Sequence, residues 1–210
     1  MTRTRVKICG IRRIEDALLA AELGATALGF VFWPGSSRFI DPYRAKKIAA
    51  ALPPFLTTVG VFVDQPEEYV AGVAGLLNLG AVQLHGAEDV APFLKIGHRL
   101  IKAVAVSEGL EEGAVRRLPG SVTVLLDAHD PVRRGGTGRT IDWTAAARVA
   151  SIRPIVLSGG LTAANVREAI EHVRPYAVDV SSGVEAAPGR KDPAKLRAFF
   201  AALGSVTDCP

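Results

Sequence analysis

Short runs of β-branched and other apolar residues alternate along this chain with longer Ala- and Leu-rich stretches whose apolar positions recur at helical spacing. An apolar run of four to six residues closed by Gly, Ser or Asp reads as a strand buried on both faces, and the 3.6-residue period as an amphipathic helix lying against it. The strands so predicted are Val6–Cys9, Ala27–Phe32, Thr58–Val63, Ala81–Leu84, Leu100–Val104, Val122–Asp127, Pro154–Leu157 and Ala177–Ser181. Between and after them come predicted helices at Ile14–Leu23, Pro42–Ala51, Pro66–Leu77, Glu88–Lys95, Glu108–Leu118, Trp143–Ala150, Ala163–His172 and Pro193–Leu203. Asp41-Pro42 and Asp192-Pro193 supply two of these helices with an N-cap and a first-turn proline. Eight strands, each followed by a helix, close into an α/β fold of the single-domain (β/α)8 TIM barrel type, here one domain over residues 1–210. The competing open, doubly wound sheet carries G-x-G-x-x-G at its first turn, and Cys9-Gly10-Ile11-Arg12-Arg13 is not that pattern.

Composition narrows the function. A chain of 210 residues that is 49% hydrophobic has ample material for a core. No apolar run is long enough to span a bilayer, and Met1-Thr2-Arg3-Thr4-Arg5 leads straight into a strand, so the expected location is cytoplasmic, with no membrane partner. The net charge of +4 is dispersed, and aromatic residues make up only 6%, which argues against a nucleic-acid partner and leaves the basic groups to attract a small anion. Two cysteines, Cys9 and Cys209, stand near opposite ends and suggest no disulfide framework; Cys209 reads as a surface thiol. Four scattered histidines without carboxylates at ligand spacing give no reason to expect a metal.

In a barrel the chemistry sits where strands end, and the distinctive residues of this chain fall there. Cys9 closes the first strand; it is either a small buried hydrophobe or a reactive thiol, and only its electrostatic setting separates the two. Strand seven runs into Ser158-Gly159-Gly160 and strand eight into Ser181-Ser182-Gly183. Matched small-residue turns on neighbouring strands leave backbone N–H groups uncovered, so Gly159, Gly160, Ser182 and Gly183 are candidate phosphate binders. The loop from His129 to Ile141 holds Arg133-Arg134-Gly135-Gly136-Thr137-Gly138-Arg139, in which Gly136 and Gly138 could help close over an anion; a solvated loop is the alternative.

These pieces, taken in order, resemble one known family. Lys7-Ile8-Cys9-Gly10, Gly29-Phe30-Val31-Phe32 followed by Ser37-Arg38-Phe39-Ile40, Val59-Gly60-Val61-Phe62-Val63, Val82-Gln83-Leu84-His85-Gly86, Leu125-Leu126-Asp127, Gly135-Gly136-Thr137-Gly138, Ile141-Asp142-Trp143, Leu157-Ser158-Gly159-Gly160-Leu161 and Asp179-Val180-Ser181-Ser182-Gly183-Val184-Glu185 are similar to the phosphoribosylanthranilate isomerases of tryptophan biosynthesis. The resemblance covers essentially the whole chain. It implies an Amadori rearrangement of N-(5′-phosphoribosyl)anthranilate to 1-(2-carboxyphenylamino)-1-deoxyribulose 5-phosphate, without metal or cofactor, on a small phosphosugar substrate, by a monomer or homodimer. It further implies that Cys9 is the general base, Asp127 the general acid, and Arg38 the partner of the anthranilate carboxylate. Phe39 stands where the family often has tyrosine, and Arg139 where it often has lysine; both substitutions bear on fine substrate contacts.

The implied chemistry makes its own demands. A thiol with an ordinary pKa of about 8.5 is scarcely ionised at neutral pH, so a cation should lie near Cys9. Strand parity puts Lys7 on the same face, and a Lys7–Asp179 pair beneath the thiol is expected if Asp179 points inward; the alternative is a Lys7 that reaches solvent. Asp127 must keep a proton near neutrality, or else it is merely a loop or helix-capping carboxylate. His85 and Gln83 point inward by the same parity, and His85 is a possible substrate contact or a structural group. Asp64 and Glu185 could bind water or backbone instead of substrate. The nearest rival, the phosphosugar isomerase of histidine biosynthesis, usually pairs two aspartates where this chain has Cys9. A non-catalytic phosphosugar binder would have no need of Cys9, Asp127 and Arg38 together.

Overall fold

The structure is a computed structural model and describes residues 4–106, 112–128 and 141–204. Eight parallel strands close a barrel in chain order: β1 (Arg5–Cys9), β2 (Ala27–Val31), β3 (Thr57–Phe62), β4 (Ala81–Leu84), β5 (Arg99–Val106), β6 (Thr123–Ala128), β7 (Ile155–Leu157) and β8 (Ala177–Val180). β1 pairs with both β2 and β8, with Lys7 opposite Asp179, so the first and last strands form the closing seam. Around them lie α1 (Ile14–Glu22), α2 (Pro42–Ala49), α3 (Glu67–Leu77), α4 (Glu112–Arg117), α5 (Trp143–Ala150), α6 (Val166–Val173) and α7 (Pro193–Gly204).

The two-residue period of each strand separates two interiors. Outward positions, among them Ile8, Phe30, Phe62, Leu84, Leu126, Leu157 and Val178, join the helices in one continuous apolar layer. Inward positions form two small clusters, Cys9 with Val31 and Val61, and Leu125 with Val156 and Ala177. Lys7, Gln83, Asp127 and Asp179 share that inward parity and are buried. The helix starts follow the local chemistry: Asp41 accepts from the N–H groups of Tyr43 and Arg44, and Asp192 from those of Ala194 and Lys195, each just before its proline.

Two expected elements differ. Of the helix predicted at Glu88–Lys95, only a 3-10 turn at Pro92–Lys95 forms. Pro92 would sit in the interior of that helix, where it lacks an N–H to donate. Glu88 is instead drawn inward, accepting from the backbone N–H groups of Asp64 and Gly86 and from Lys102 Nζ at 2.9 Å. The helix predicted from Ala163 starts at Val166, because Thr162–Asn165 forms a turn in which Asn165 accepts from the Thr162 N–H and donates to the Gly160 carbonyl. Only Glu112–Arg117 of the helix predicted at Glu108–Leu118 lies in a described helix, residues 107–111 being outside the described ones. An unpredicted hairpin, β9 (Glu185–Ala187) with β10 (Arg190–Lys191), follows β8.

The end of the barrel where strands begin serves stability. Arg153, just before β7, donates to the carbonyls of Val115, Leu118, Pro119 and Val122, gathering the end of α4 and the approach to β6. Replacing Arg153 by Met leaves these acceptors to find other donors, and unfolding free energy is expected to fall by about 2–3 kcal/mol. Thermal denaturation should show a drop of roughly 5–10 °C in Tm. A loss of ligand binding at the opposite, strand-end face in the folded variant would contradict this separation.

Candidate active site

At the end of the barrel where strands stop, a cavity of about 490 Å³ opens, lined among others by Cys9, Arg38, Gln83, His85, Asp127, Ser158, Asp179 and Ser181. Its size suits a small organic ligand. Cys9 is the last residue of β1, and its side chain fits because β2 has a glycine beside it: a Cβ on Gly29 would lie 2.9 Å from Cys9 Sγ and 3.2 Å from Lys7 Cε. Gly10 then turns the chain at φ +77°, and a Cβ there would meet the Arg38 stem at 2.7 Å.

Beneath the thiol, Lys7 Nζ donates to Asp179 Oδ1 at 2.9 Å, both side chains almost wholly shielded from solvent. Burial works against the Lys7 charge, but Asp179 and Cys9 more than compensate and raise its pKa, so Lys7 is a permanent cation. The expected pair is therefore present. The thiol itself is nonetheless pushed up: burial raises its pKa most, Asp179 adds to this, and the attraction of Lys7 and Lys191 offsets only part of it. A thiol pushed upward departs from the simple expectation that Lys7 would hold a thiolate. The first reason is the burial of the thiol, and the second is that Lys7 arrives with its own counter-charge.

Asp127 faces the cavity from β6. Its Oδ1 accepts from the Ala128 N–H at 2.9 Å, and its Oδ2 lies 3.2 Å from His85 Nε2. His85 follows β4, which is separated from β6 by β5; the pair spans that strand where its inward residues are Ala103 and Ala105. The second ring nitrogen, His85 Nδ1, is 2.8 Å from Gln83 Nε2. His85 is thus a partner of Asp127 as well as a cavity wall.

Arg38 lies at the rim, and its guanidinium is gripped by Glu185, Nε donating to Oε1 at 2.9 Å and Nη2 to Oε2 at 2.7 Å. Lys191, fully buried on β10, donates to the same Oε1 at 3.0 Å and to the Ser181 carbonyl at 3.2 Å. Burial pulls the Glu185 carboxyl upward, and the Arg38 bonds and Lys191 charge outweigh it, holding Glu185 below the usual carboxylate range. For Lys191 burial wins over Glu185, and its pKa is lowered. Two cations on one carboxylate leave a net positive corner in the cavity wall. Lys191 escaped the sequence reading because a lysine between Arg190 and Asp192, in a short segment with Pro188 and Pro193, looks like a solvent-facing charge; only the hairpin folds it inward.

The two small-residue turns come together as expected. Gly159 and Gly160 have φ of +87° and +64°, and a Cβ on Gly183 would collide with the Leu161 carbonyl oxygen, so the turns after β7 and β8 pack directly. Among the described residues, the backbone amides of Gly159, Gly160, Ser182 and Gly183 donate to no protein acceptor. Ser158 and Ser181, one residue earlier on each turn, line the cavity, which places this amide cluster at its edge. Gly136, Gly138 and Arg139, with His129 and Cys209, lie outside the described residues. Among the described residues no three or more His, Cys, Asp or Glu side chains converge as a metal site, and no helix is long and apolar enough to cross a membrane.

Comparison with known proteins agrees with this geometry. Residues 6–202 match the family model described as N-(5′-phosphoribosyl)anthranilate (PRA) isomerase. An N-(5′-phosphoribosyl)anthranilate isomerase of Chromohalobacter salexigens is 50% identical over 212 residues, covering 100% of this chain and 98% of its own. The isomerase of Thermotoga maritima is 48% identical, covering 93% and 96%. The crystal structure of phosphoribosyl anthranilate isomerase from Thermus thermophilus superimposes with a TM-score of 0.88 at 42% identity, over 96% of this chain and 99% of that one. Another, solved in complex with reduced 1-(o-carboxyphenylamino)-1-deoxyribulose 5-phosphate, has a TM-score of 0.84 at 44% identity, with the same coverage. With a closed barrel, a strand-end thiol facing a carboxylate, and relatives of this likeness over its full length, the chain belongs to the N-(5′-phosphoribosyl)anthranilate isomerase family.

Proposed function

We propose that Cys9 and Asp127 are the proton-transfer groups of this isomerase, that Arg38 receives the anthranilate carboxylate, and that the turns at Gly159-Gly160 and Ser182-Gly183 receive the phosphate. The enzyme carries out the Amadori rearrangement of N-(5′-phosphoribosyl)anthranilate, an aldose–ketose isomerisation in tryptophan biosynthesis. The observation that carries the residue assignment is one cavity with a thiol on β1, a carboxylate on β6, a cationic corner at the rim and uncovered amides at its edge.

In this reading the acid at Asp127 protonates the ribose ring oxygen, the C1′–O bond breaks, and the anthranilate nitrogen lone pair forms the C1′=N⁺ bond. The Cys9 thiolate then takes the proton from C2′, whose bonding electrons form C1′=C2′ and neutralise the nitrogen. The resulting enolamine ketonises, with C1′ gaining a proton and C2′ keeping its oxygen as a carbonyl. The phosphate and carboxylate, bound at separate places, hold the sugar between acid and base, so that binding energy from unreactive groups orients the reacting ones. Arg38 has its Nη1 without a partner among the described residues, which suits a second carboxylate beside Glu185. The four glycine and serine amides suit a phosphate dianion. Every group named belongs to one chain, so the mechanism holds alike for a monomer or a homodimer. A free thiol at the centre of the site suits a reducing compartment, and on that ground we assign the enzyme to the cytoplasm.

Three measurements test these assignments. Freshly generated phosphoribosylanthranilate should lose its fluorescence on addition of the enzyme, and Cys9→Ala and Asp127→Asn should each slow turnover by roughly a hundredfold to ten-thousandfold with substrate affinity nearly kept; near-normal turnover in either variant removes that residue from its role. Arg38→Met should raise KM by roughly tenfold to a hundredfold, more than it lowers kcat, as expected for loss of a charge-assisted contact; an unchanged KM would move the carboxylate elsewhere. In a Cys209→Ser background, alkylation of Cys9 should accelerate with pH through a midpoint above the ordinary thiol value of about 8.5. A midpoint below that value would mean that the neighbouring lysines overcome burial.

A further inference from the structure

The acid of this site has a difficulty that the geometry resolves. An aspartate of ordinary pKa, about 4, is ionised at neutral pH and has no proton to give. Both oxygens of Asp127 face hydrogen-bonding neighbours, the Ala128 N–H at 2.9 Å and His85 Nε2 at 3.2 Å. The same neighbour offers a remedy, since an imidazole is the side chain that gains and loses a proton near neutrality.

We infer that His85 stores the proton that Asp127 delivers, so that the working acid is the Asp127–His85 couple rather than Asp127 alone. In the charged couple the imidazolium donates from Nε2 to Asp127 Oδ2. The Nε2 proton passes to Asp127 Oδ2 and the carboxyl group so formed gives a proton to the ribose ring oxygen, so the couple ends as carboxylate and neutral imidazole protonated at Nδ1, one proton poorer. The proton is regained from water after product leaves. His85 is a positioning and proton-supplying residue that acts through Asp127. The inference rests on the assignment of Asp127 as the acid.

Three further features fit this role. Ala103 and Ala105 on β5 leave the space across which residues of two non-adjacent strands can meet. Gln83, buried on β4, holds Nδ1 at 2.8 Å through its amide. An amide offers an N–H on one side and an oxygen on the other, so it can donate to Nδ1 of a ring protonated only at Nε2 or, turned over, accept from Nδ1–H of the charged ring and of the neutral ring left after transfer. Gln83 Oε1 is buried with no hydrogen-bond partner among the described residues, which leaves it available as that acceptor. Among the described residues, the other titratable or charged groups lining this cavity are Cys9 from β1, Asp179 from β8 and Arg38 from the loop after β2, with Lys7 bound to Asp179; Val61 on β3, Val63 just after it, and Ala103 and Ala105 on β5 carry no charge, and Ser158 on the β7 side is neutral.

The consequence is quantitative. Turnover needs thiolate and proton-bearing acid together, and with a raised Cys9 this is the minority partner of the more stable thiol–carboxylate form. That minority is constant between the two pKa values, falls below the acid's, and grows tenfold for each unit by which the acid's pKa approaches the base's. With the ordinary values of the two side-chain types, about 6.5 for an imidazole and about 4 for an aspartate, an imidazole-backed acid gives an active population roughly three hundredfold larger than an aspartate alone, only partly offset by the greater strength of the acid.

The test is His85→Gln, which keeps an N–H donor at this position but cannot carry a proton, compared with the parent enzyme and Asp127→Asn in single-turnover experiments from pH 4 to 9. Expected are a rate lower by roughly tenfold to a hundredfold at pH 7, a KM within about threefold, and a low-pH limb moved down by about two units toward the ordinary aspartate range. A parental rate and an unmoved limb in His85→Gln, with Asp127→Asn inactive, would overturn the inference and leave Asp127 as the sole acid. Normal turnover by Asp127→Asn would instead overturn the assignment of the acid, and this inference with it. Circular dichroism of both variants identifies a loss caused by misfolding; in that event Gln83→Leu, which leaves His85 and Asp127 in place, should show the same downward movement of the limb, and an unmoved limb there would equally count against the couple.

Discussion

A charge inside a barrel has to bring its counter-charge with it, and in this protein the constraint falls on the Lys7–Asp179 pair. The two residues sit opposite each other in the β1–β8 register, where the closed sheet is joined. Removing either leaves the other buried without a partner, a far larger penalty than the pair's own modest net contribution. Its position immediately below Cys9 gives it a second effect: the thiol feels an ion pair instead of a bare lysine. Closure of the fold and the electrostatic setting of the thiol therefore share the same two side chains.

Around that pair the site is organised as neutralised or nearly neutralised groups, with one surplus. Lys7 meets Asp179, and His85 meets Asp127, whereas Glu185 is shared by Arg38 and Lys191. The surplus positive charge sits at the rim. That corner and the bare amides at the cavity's edge are where an anion would be attracted. Beneath Cys9, by contrast, the charges of Lys7 and Asp179 cancel. The small residues have a matching role: Gly29 makes room for the thiol, Gly10 for the arginine stem, and Ala103 with Ala105 for the histidine–aspartate contact.

Much of this was legible in the residues. Alternation within strands was enough to place Lys7 on the face of Cys9 and Gln83 on that of His85, but it left the direction of Asp179 open until the β1–β8 register set it opposite Lys7. Asp41-Pro42 and Asp192-Pro193 marked helix starts because their chemistry is local. The illegible parts were those decided by distant partners. Glu88–Lys95 has helical spacing, yet Glu88 forms bonds to Asp64 and Lys102 that no local pattern announces. The hairpin at Glu185–Lys191 is short, and Lys191 looks like any surface lysine until Glu185 and the Ser181 carbonyl receive it. The role of Arg38 came from family likeness, and its bidentate grip by Glu185 is a feature that likeness did not supply.

The seam between β1 and β8 has a consequence for the newly made polypeptide. Lys7 leaves the ribosome well before Asp179, which follows it by 172 residues, so the pair beneath the thiol is united only once β8 has been made. Until then Lys7 lacks the carboxylate it meets inside the sheet, and an early, partly closed barrel is penalised for burying it. The arrangement defers compaction around the thiol until β8 is in place, so that a chain ending before β8 is not a stable barrel.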